Sequence, residues 1–152
     1  MQKKPREVEP DEAKLRGICT QHNEMPNGEL RFRLKHADGT AYIRTEATES
    51  SGWQKSHYHT SVRETYIVQS GKMALAELIE GKTRMRVFGP GEICTTEPHV
   101  SHNVYLFGGT IVHTVKHGEE GKITDWHASP SFDEKTANLS ESDIALLATT
   151  LT

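Results

Sequence analysis

Three residues near the middle of the chain could do chemistry together. His57 and His59 form a His-x-His pair, and Glu64 follows five residues after the second histidine. Residues of equal parity on a strand point to the same side of the sheet, so the two imidazoles aim at one place. Glu64, on the next strand past a short turn, brings a carboxylate to the same place. Two neutral nitrogens and a hard oxygen converging from strands are the donor set of a divalent transition metal. Everything else in the sequence is therefore judged by whether it builds a scaffold around that point.

The scaffold is expected to be one domain. The chain has 152 residues, enough to bury a core without disulfides. Its net charge is −3 and its isoelectric point about 6.3, so no electrostatic pull toward nucleic acid or membrane is expected. Mean hydropathy is −0.63, and no apolar run reaches membrane-spanning length. The first ten residues are charged and lack an apolar stretch, so no signal peptide is expected. Cys19 and Cys94 then read as free thiols of a cytoplasmic protein.

Turn signals recur at even spacing from about residue 30. Strands are expected over 30–34, 42–44, 65–69, 72–79, 84–88, 93–96, 103–107, 110–115 and 122–126, separated by Asp38-Gly39, Ser70-Gly71, Glu80-Gly81 and Gly89-Pro90-Gly91. The 72–79 segment has helical propensity, but its flanking turns favour a hairpin strand. Residues 1–16 read as a mobile arm or a short helix near Asp11–Leu15. Ser140 to Asp143 reads as a helix N-cap for 144–148. The expected division is an arm over 1–24, a barrel over 25–128 and a tail with a short helix over 129–152.

The segment Gly52–Gly71 resembles the first motif of the cupin family. It stands here as G-x4-H-x-H-x4-E-x6-G, one residue short before the first histidine. The second cupin motif is echoed from Gly91 to Leu106. Gly91 and His102 keep the family spacing, while Glu97, His99 and Leu106 stand where the family has proline, glycine and asparagine. The resemblance implies an all-β fold: a double-stranded antiparallel β-barrel of jelly-roll type, here with a short C-terminal helix, and a homodimer. It also implies a divalent ion (iron, manganese, nickel or zinc) held by His57, His59, Glu64 and His102. The family spans dioxygenases, decarboxylases, isomerases and non-enzymes, so fold does not give reaction.

Other residues carry two readings each. Tyr66 shares parity with Glu64 and faces the interior, either toward a substrate or as a core aromatic bonded to backbone. His113 shares parity with Ile111 and Val115, which suggests an interior histidine or a general acid or base. Arg31 and Arg33 oppose Leu30, Phe32 and Leu34; their face is solvent in a one-sided sheet, or an anion-binding wall in a barrel mouth. His99 reads as a turn residue, with ligation as the alternative. Trp53 and Trp126 either rim the mouth or are buried at an edge or a dimer contact. His117 and His127 read as surface residues, and Cys94 as an inert core thiol.

No phosphate loop, nucleophile elbow, zinc ribbon or DNA-reading helix is present in the sequence. The expectation is a metal-dependent enzyme on a small-molecule substrate, of dioxygenase or sugar/keto-acid isomerase type. The alternative is a metal- or ligand-binding cupin without turnover. Neither nucleic acid nor membrane is expected as a partner.

Overall fold

The computed structural model describes residues 4–50, 52–118 and 125–149. The elements in chain order are α1 (Pro10–Leu15), β1 (Ile18–Glu24), β2 (Leu30–His36), β3 (Ala41–Glu46), β4 (Gly52–Trp53), β5 (His57–Tyr58), β6 (Val62–Ser70), β7 (Met73–Ile79), β8 (Lys82–Phe88), β9 (Ile93–Thr95), β10 (His102–Leu106), β11 (Ile111–Gly118), β12 (His127–Ala128), α2 (Pro130–Thr136) and α3 (Glu141–Thr149). They form two antiparallel sheets. The first has the order β1-β2-β3-β11-β6-β9; the second has the order β12-β5-β10-β7-β8, with β4 also on β10. The architecture is all-β and of jelly-roll type, as expected, with the sheets face to face rather than joined by one closed ladder.

Alternation decides what lies between them. On β6, Val62, Glu64, Tyr66 and Val68 are buried, while the residues between them are more exposed. Tyr66, Val68, Cys94 and Val112 of the first sheet pack on Met73, Leu75, Val104 and Leu106 of the second. Each large aliphatic side chain so buried contributes roughly 1.5–3 kcal/mol. The interior is thus apolar at one end and polar where Glu64 enters.

β7 explains its own ambiguous sequence. Its alternate residues, Ala74 and Ala76, face outward into a second apolar cluster with Met85, Phe132 of α2 and Ile144 of α3. A strand buried on both faces reads as a continuous apolar run, which periodicity alone does not separate from a helix. The turn before it needs its glycine. Gly71 has φ +79°, and a Cβ there would lie 2.6 Å from the Thr110 Cα.

The ends differ from the sequence reading. The segment expected as an arm supplies α1 and also β1, which pairs with β2 along its length. Few apolar residues mark β1, because it is an exposed edge strand. Two helices follow the sheets rather than one. The expected cap is present: the Ser140 hydroxyl receives the Asp143 backbone N–H and donates to its carboxylate, 2.9 Å. Of the strand expected over 122–126, residues 122–124 lie outside the described residues; Asp125 and Trp126 are irregular, and β12 starts one residue later. No helix among the described residues is long and apolar enough to cross a membrane.

Candidate metal centre

Both sheets contribute to the polar end. His57 of β5 stands directly across from His102 of β10, so their side chains leave the same face of the second sheet. His59 follows β5 at once, and Glu64 enters from β6 on the facing sheet. One donor atom from each of these four buried residues lies within 4.8 Å of the others. Glu64 Oε1 is 3.3 Å from His59 Nε2, and Glu64 Oε2 is 3.2 Å from His102 Nε2 and 3.6 Å from His57 Nε2.

The outer ring nitrogens fix the tautomers. His57 Nδ1–H donates to the Lys55 carbonyl at 2.9 Å, His102 Nδ1–H to the Val100 carbonyl at 3.2 Å, and His59 Nδ1–H to the Asp125 carbonyl. All three Nε2 lone pairs then face a carboxylate, acceptor against acceptor. Nε2 of His57 and of His59 is buried without a hydrogen-bond partner. Such orphaned acceptors are costly, and a cation among them relieves the cost. Three imidazoles backed by carbonyls and one carboxylate also fit the donor preferences of a divalent transition ion.

Two further side chains act on Glu64. The Tyr66 hydroxyl donates to Oε2 at 2.6 Å, and Lys116 Nζ lies 3.3 Å from Oε1. Burial opposes the charge on Glu64, yet the three imidazoles, which donate to it once Nε2 takes a proton, and Lys116 hold its pKa well below the carboxylate range. Burial and the Glu64 charge push Tyr66 well above its ordinary value, so it stays a protonated donor. Burial lowers His57. It acts the same way on His59, but there the Glu64 contacts outweigh it and the pKa rises.

Asp125, Trp126 and His127 pack beside this centre. The Asp125 carboxylate accepts from the backbone N–H groups of Thr60, Ser61 and Val62, each at 2.8 Å, and from the Thr60 and Ser61 hydroxyls. It thereby fixes the turn that joins His59 to Glu64. Its own carbonyl orients His59. The Trp126 ring stacks on His57 with centroids 5.3 Å apart, and His127 stacks on Tyr58 at 4.9 Å. Nothing in the sequence pattern pointed to Asp125. The available signal was the Thr60-Ser61 turn, whose donors need an acceptor.

Of the residues singled out from sequence, His57, His59, Glu64, His102 and Tyr66 come together. His113 does not. The inward residues of β11 are Val112 and Thr114; His113 is on the opposite face, where its ring nitrogens meet the Tyr42 hydroxyl at 2.6 Å and Gln69 Oε1 at 2.7 Å. His113 does share its face with Ile111 and Val115, but that face looks outward; β11 has apolar residues on both faces, so apolar neighbours do not tell which one is inside. His99 is an exposed turn residue with φ 63°, in the left-handed region where the cupin motif places glycine. Its N–H bonds the His59 carbonyl at 2.6 Å. Trp53 turns toward the C-terminal helices and donates its indole N–H to the Leu139 carbonyl at 3.0 Å, whereas Trp126 rims the site. Burial pushes the Cys94 thiol up to about 12, consistent with an inert core residue. His117 is half-buried and bonds Thr65 Oγ1 at 2.8 Å.

Arg31 and Arg33 face inward. β2 pairs Arg33 with Ile43, and β3 pairs Ile43 with the inward Thr114, so the arginines share the Glu64 side of the sheet. Leu30, Phe32 and Leu34 are the outward residues, 36%, 39% and 47% exposed. The solvent-facing reading of the arginines is thus reversed, since the wall over a polar centre needs polar groups.

No protein-family model matches the chain, and a search of curated proteins finds none similar to it. Solved structures do match. KdgF from Halomonas sp. aligns with TM-score 0.51 at 16% identity, covering 65% of this chain and 86% of that one. Oxalate decarboxylase from Bacillus subtilis aligns with TM-score 0.59 at 12% identity over 84% of this chain, which spans 37% of that protein. The Drosophila melanogaster CENP-C cupin domain aligns with TM-score 0.50 at 10% identity, covering 64% and 75%. At such identities the likeness speaks for the fold, and the motif order together with the two facing sheets agrees with it. The chain is a small protein of the cupin fold.

Proposed function

We propose that the protein is a metal-dependent enzyme acting on a small molecule, with a divalent transition ion held by His57, His59, Glu64 and His102. The observation that carries this reading is the set of three carbonyl-backed imidazoles whose Nε2 atoms converge on one buried carboxylate. The B. subtilis oxalate decarboxylase of the same fold has Mn(II) centres, which supports the ion class without fixing it. The ion would supply Lewis acidity and open positions for an oxygen-bearing substrate. Tyr66 holds Glu64 in place through its hydroxyl, and so acts as a positioning residue. The Trp126 ring covers one face of His57. Iron or nickel as native ion favours dioxygen chemistry; zinc or manganese favours isomerisation.

Calorimetric titration of metal-stripped protein with Mn(II), Fe(II), Ni(II) and Zn(II) tests this reading. One site per chain is expected for at least one ion. Affinity should fall as pH is lowered, because protons compete for Nε2. His59, whose pKa is raised, takes its proton before His57, so the loss starts above the ordinary histidine value of about 6.5. His57, lowered by burial, is protonated at a lower pH than His59. No uptake, or uptake insensitive to pH between 5 and 8, would sink the proposal.

We further place the protein in a reducing cytoplasm, on its two free cysteines, and propose a homodimer. Ile18, Phe32, Leu34, Tyr42 and Val115 expose apolar surface on one face of the first sheet, and among the described residues no strand pairs with the outer edge of β1. Light scattering should give twice the 17.0 kDa chain mass, and Phe32→Glu should shift it toward the monomer.

A further inference from the structure

The register of the first sheet lays its inward residues in rows. One row runs Cys19, Lys35, Ala41, Lys116 and Glu64; the next runs Gln21, Arg33, Ile43, Thr114 and Tyr66. Small residues in mid-row leave room, and cations stand beside it. A cavity of about 560 Å3 opens there, with Arg33, Lys35, Lys116, His59 and Trp126 in its wall. A smaller hollow of about 90 Å3 shares Arg33 and Lys116 and reaches Glu64 and His57. The volume is that of a small-molecule site.

The cations of this wall differ in what balances them. Arg31 is matched by Glu29, which is fully buried and accepts from the guanidinium at 3.0 Å. Lys116 is matched by Glu64. Arg33 has a different kind of partner: its Nη1 donates to Asn23 Oδ1 at 2.7 Å and its Nη2 to Met25 Sδ at 3.6 Å. Lys35 donates to Gln21 Oε1 at 2.7 Å. Among the described residues both are held by neutral acceptors, oriented but not matched by a carboxylate. Asp125, the acidic group in the larger cavity's wall, has its oxygens taken up by the Thr60–Val62 turn. Burial and, after it, the neighbouring Arg31 push the Arg33 pKa down, a cost of holding a part-buried cation beside a like charge that an anionic guest offsets.

We propose that this cavity takes a small organic acid, with a carboxylate of the guest on Arg33 and the rest of the molecule directed toward the centre at Glu64. A guanidinium presents a planar fork that matches a carboxylate, which a single lysine does not. The inference deepens the enzyme reading above and rests on it only for the position of the chemistry.

Calorimetry of the protein as purified with malonate, succinate and citrate, and with neutral succinamide, tests it; metal content is measured on the same samples. At least one acid should bind and succinamide should not. Arg33→Gln should weaken the acid about tenfold or more, the loss of one charge-assisted pair, with metal content and thermal midpoint unchanged. Arg33→Lys should recover part of the affinity. Equal binding by wild type and Arg33→Gln, binding of succinamide as tight as succinate, or metal-loaded protein that binds none of the acids would overturn the proposal and leave the metal reading standing. Acids that bind through Arg33 to protein that takes up no metal would sustain it while the metal reading fails.

Discussion

His59→Ala should strip the protein of its metal and leave its fold intact. The imidazole is one of four donors and is buried, so no solvent ligand replaces it at equal geometry. Loss of an outer partner of a ligand typically costs 10–100-fold in affinity, and loss of the ligand itself should exceed about a hundredfold. The fold should survive because the inter-sheet cluster around Val68, Leu75 and Val104 is apolar and independent of the centre. Removing His59 also removes one acceptor facing Glu64, which offsets part of the packing loss. Elemental analysis after dialysis against a weak chelator, with circular dichroism on the same sample, reads both effects. Stoichiometric metal in His59→Ala would refute the assignment. His99→Ala, which changes an exposed side chain outside the cluster, should retain the ion.

Asp125→Ala should cost both stability and metal. Its carboxylate satisfies three backbone N–H groups of the Thr60–Val62 turn, and an alanine leaves them without that acceptor. Allowing for water entry at the turn, the expected loss is about 2–4 kcal/mol. The turn links two ligands, and the Asp125 carbonyl orients one of them, so metal affinity should drop 10–100-fold as well. Asp125→Asn keeps one acceptor oxygen and should fall between. The pH dependence has a definite sign. The turn N–H groups hold the Asp125 pKa well below the ordinary carboxylate value, against the opposing effect of burial. Its contribution is therefore present above the unfolded value of about 3.9 and is lost as pH falls from there toward the folded pKa. Urea unfolding at pH 7 and at pH 3 should show a smaller gap between wild type and Asp125→Ala at the lower pH. An equal gap at both would contradict this account of the turn.

The legible part of the molecule was the part set by short-range pattern. His57, His59 and Glu64 are read from parity and spacing, and His102 from motif resemblance, because each sits at a fixed distance from a turn. β6 reads clearly because one face is buried and the other is not. The less legible parts depend on what a strand faces. β2 alternates cleanly, yet alternation does not say which face looks inward; here the arginines do, because the space they face is a polar cavity and the aliphatic face is left outside. On β11 both faces carry apolar residues, so the company of Ile111 and Val115 does not tell that His113 faces outward. Asp125 acts through contacts with residues more than sixty positions away, which no local pattern encodes.

X-ray absorption at the metal edge of protein purified without a metal-affinity resin tests the central claim most directly. The account predicts about one transition ion per chain, with a first shell of three histidine nitrogens and one carboxylate oxygen at about 2.0–2.3 Å plus one or two lighter oxygen donors. Multiple scattering from fewer than three imidazoles, or protein that takes up no ion when one is offered, would contradict it.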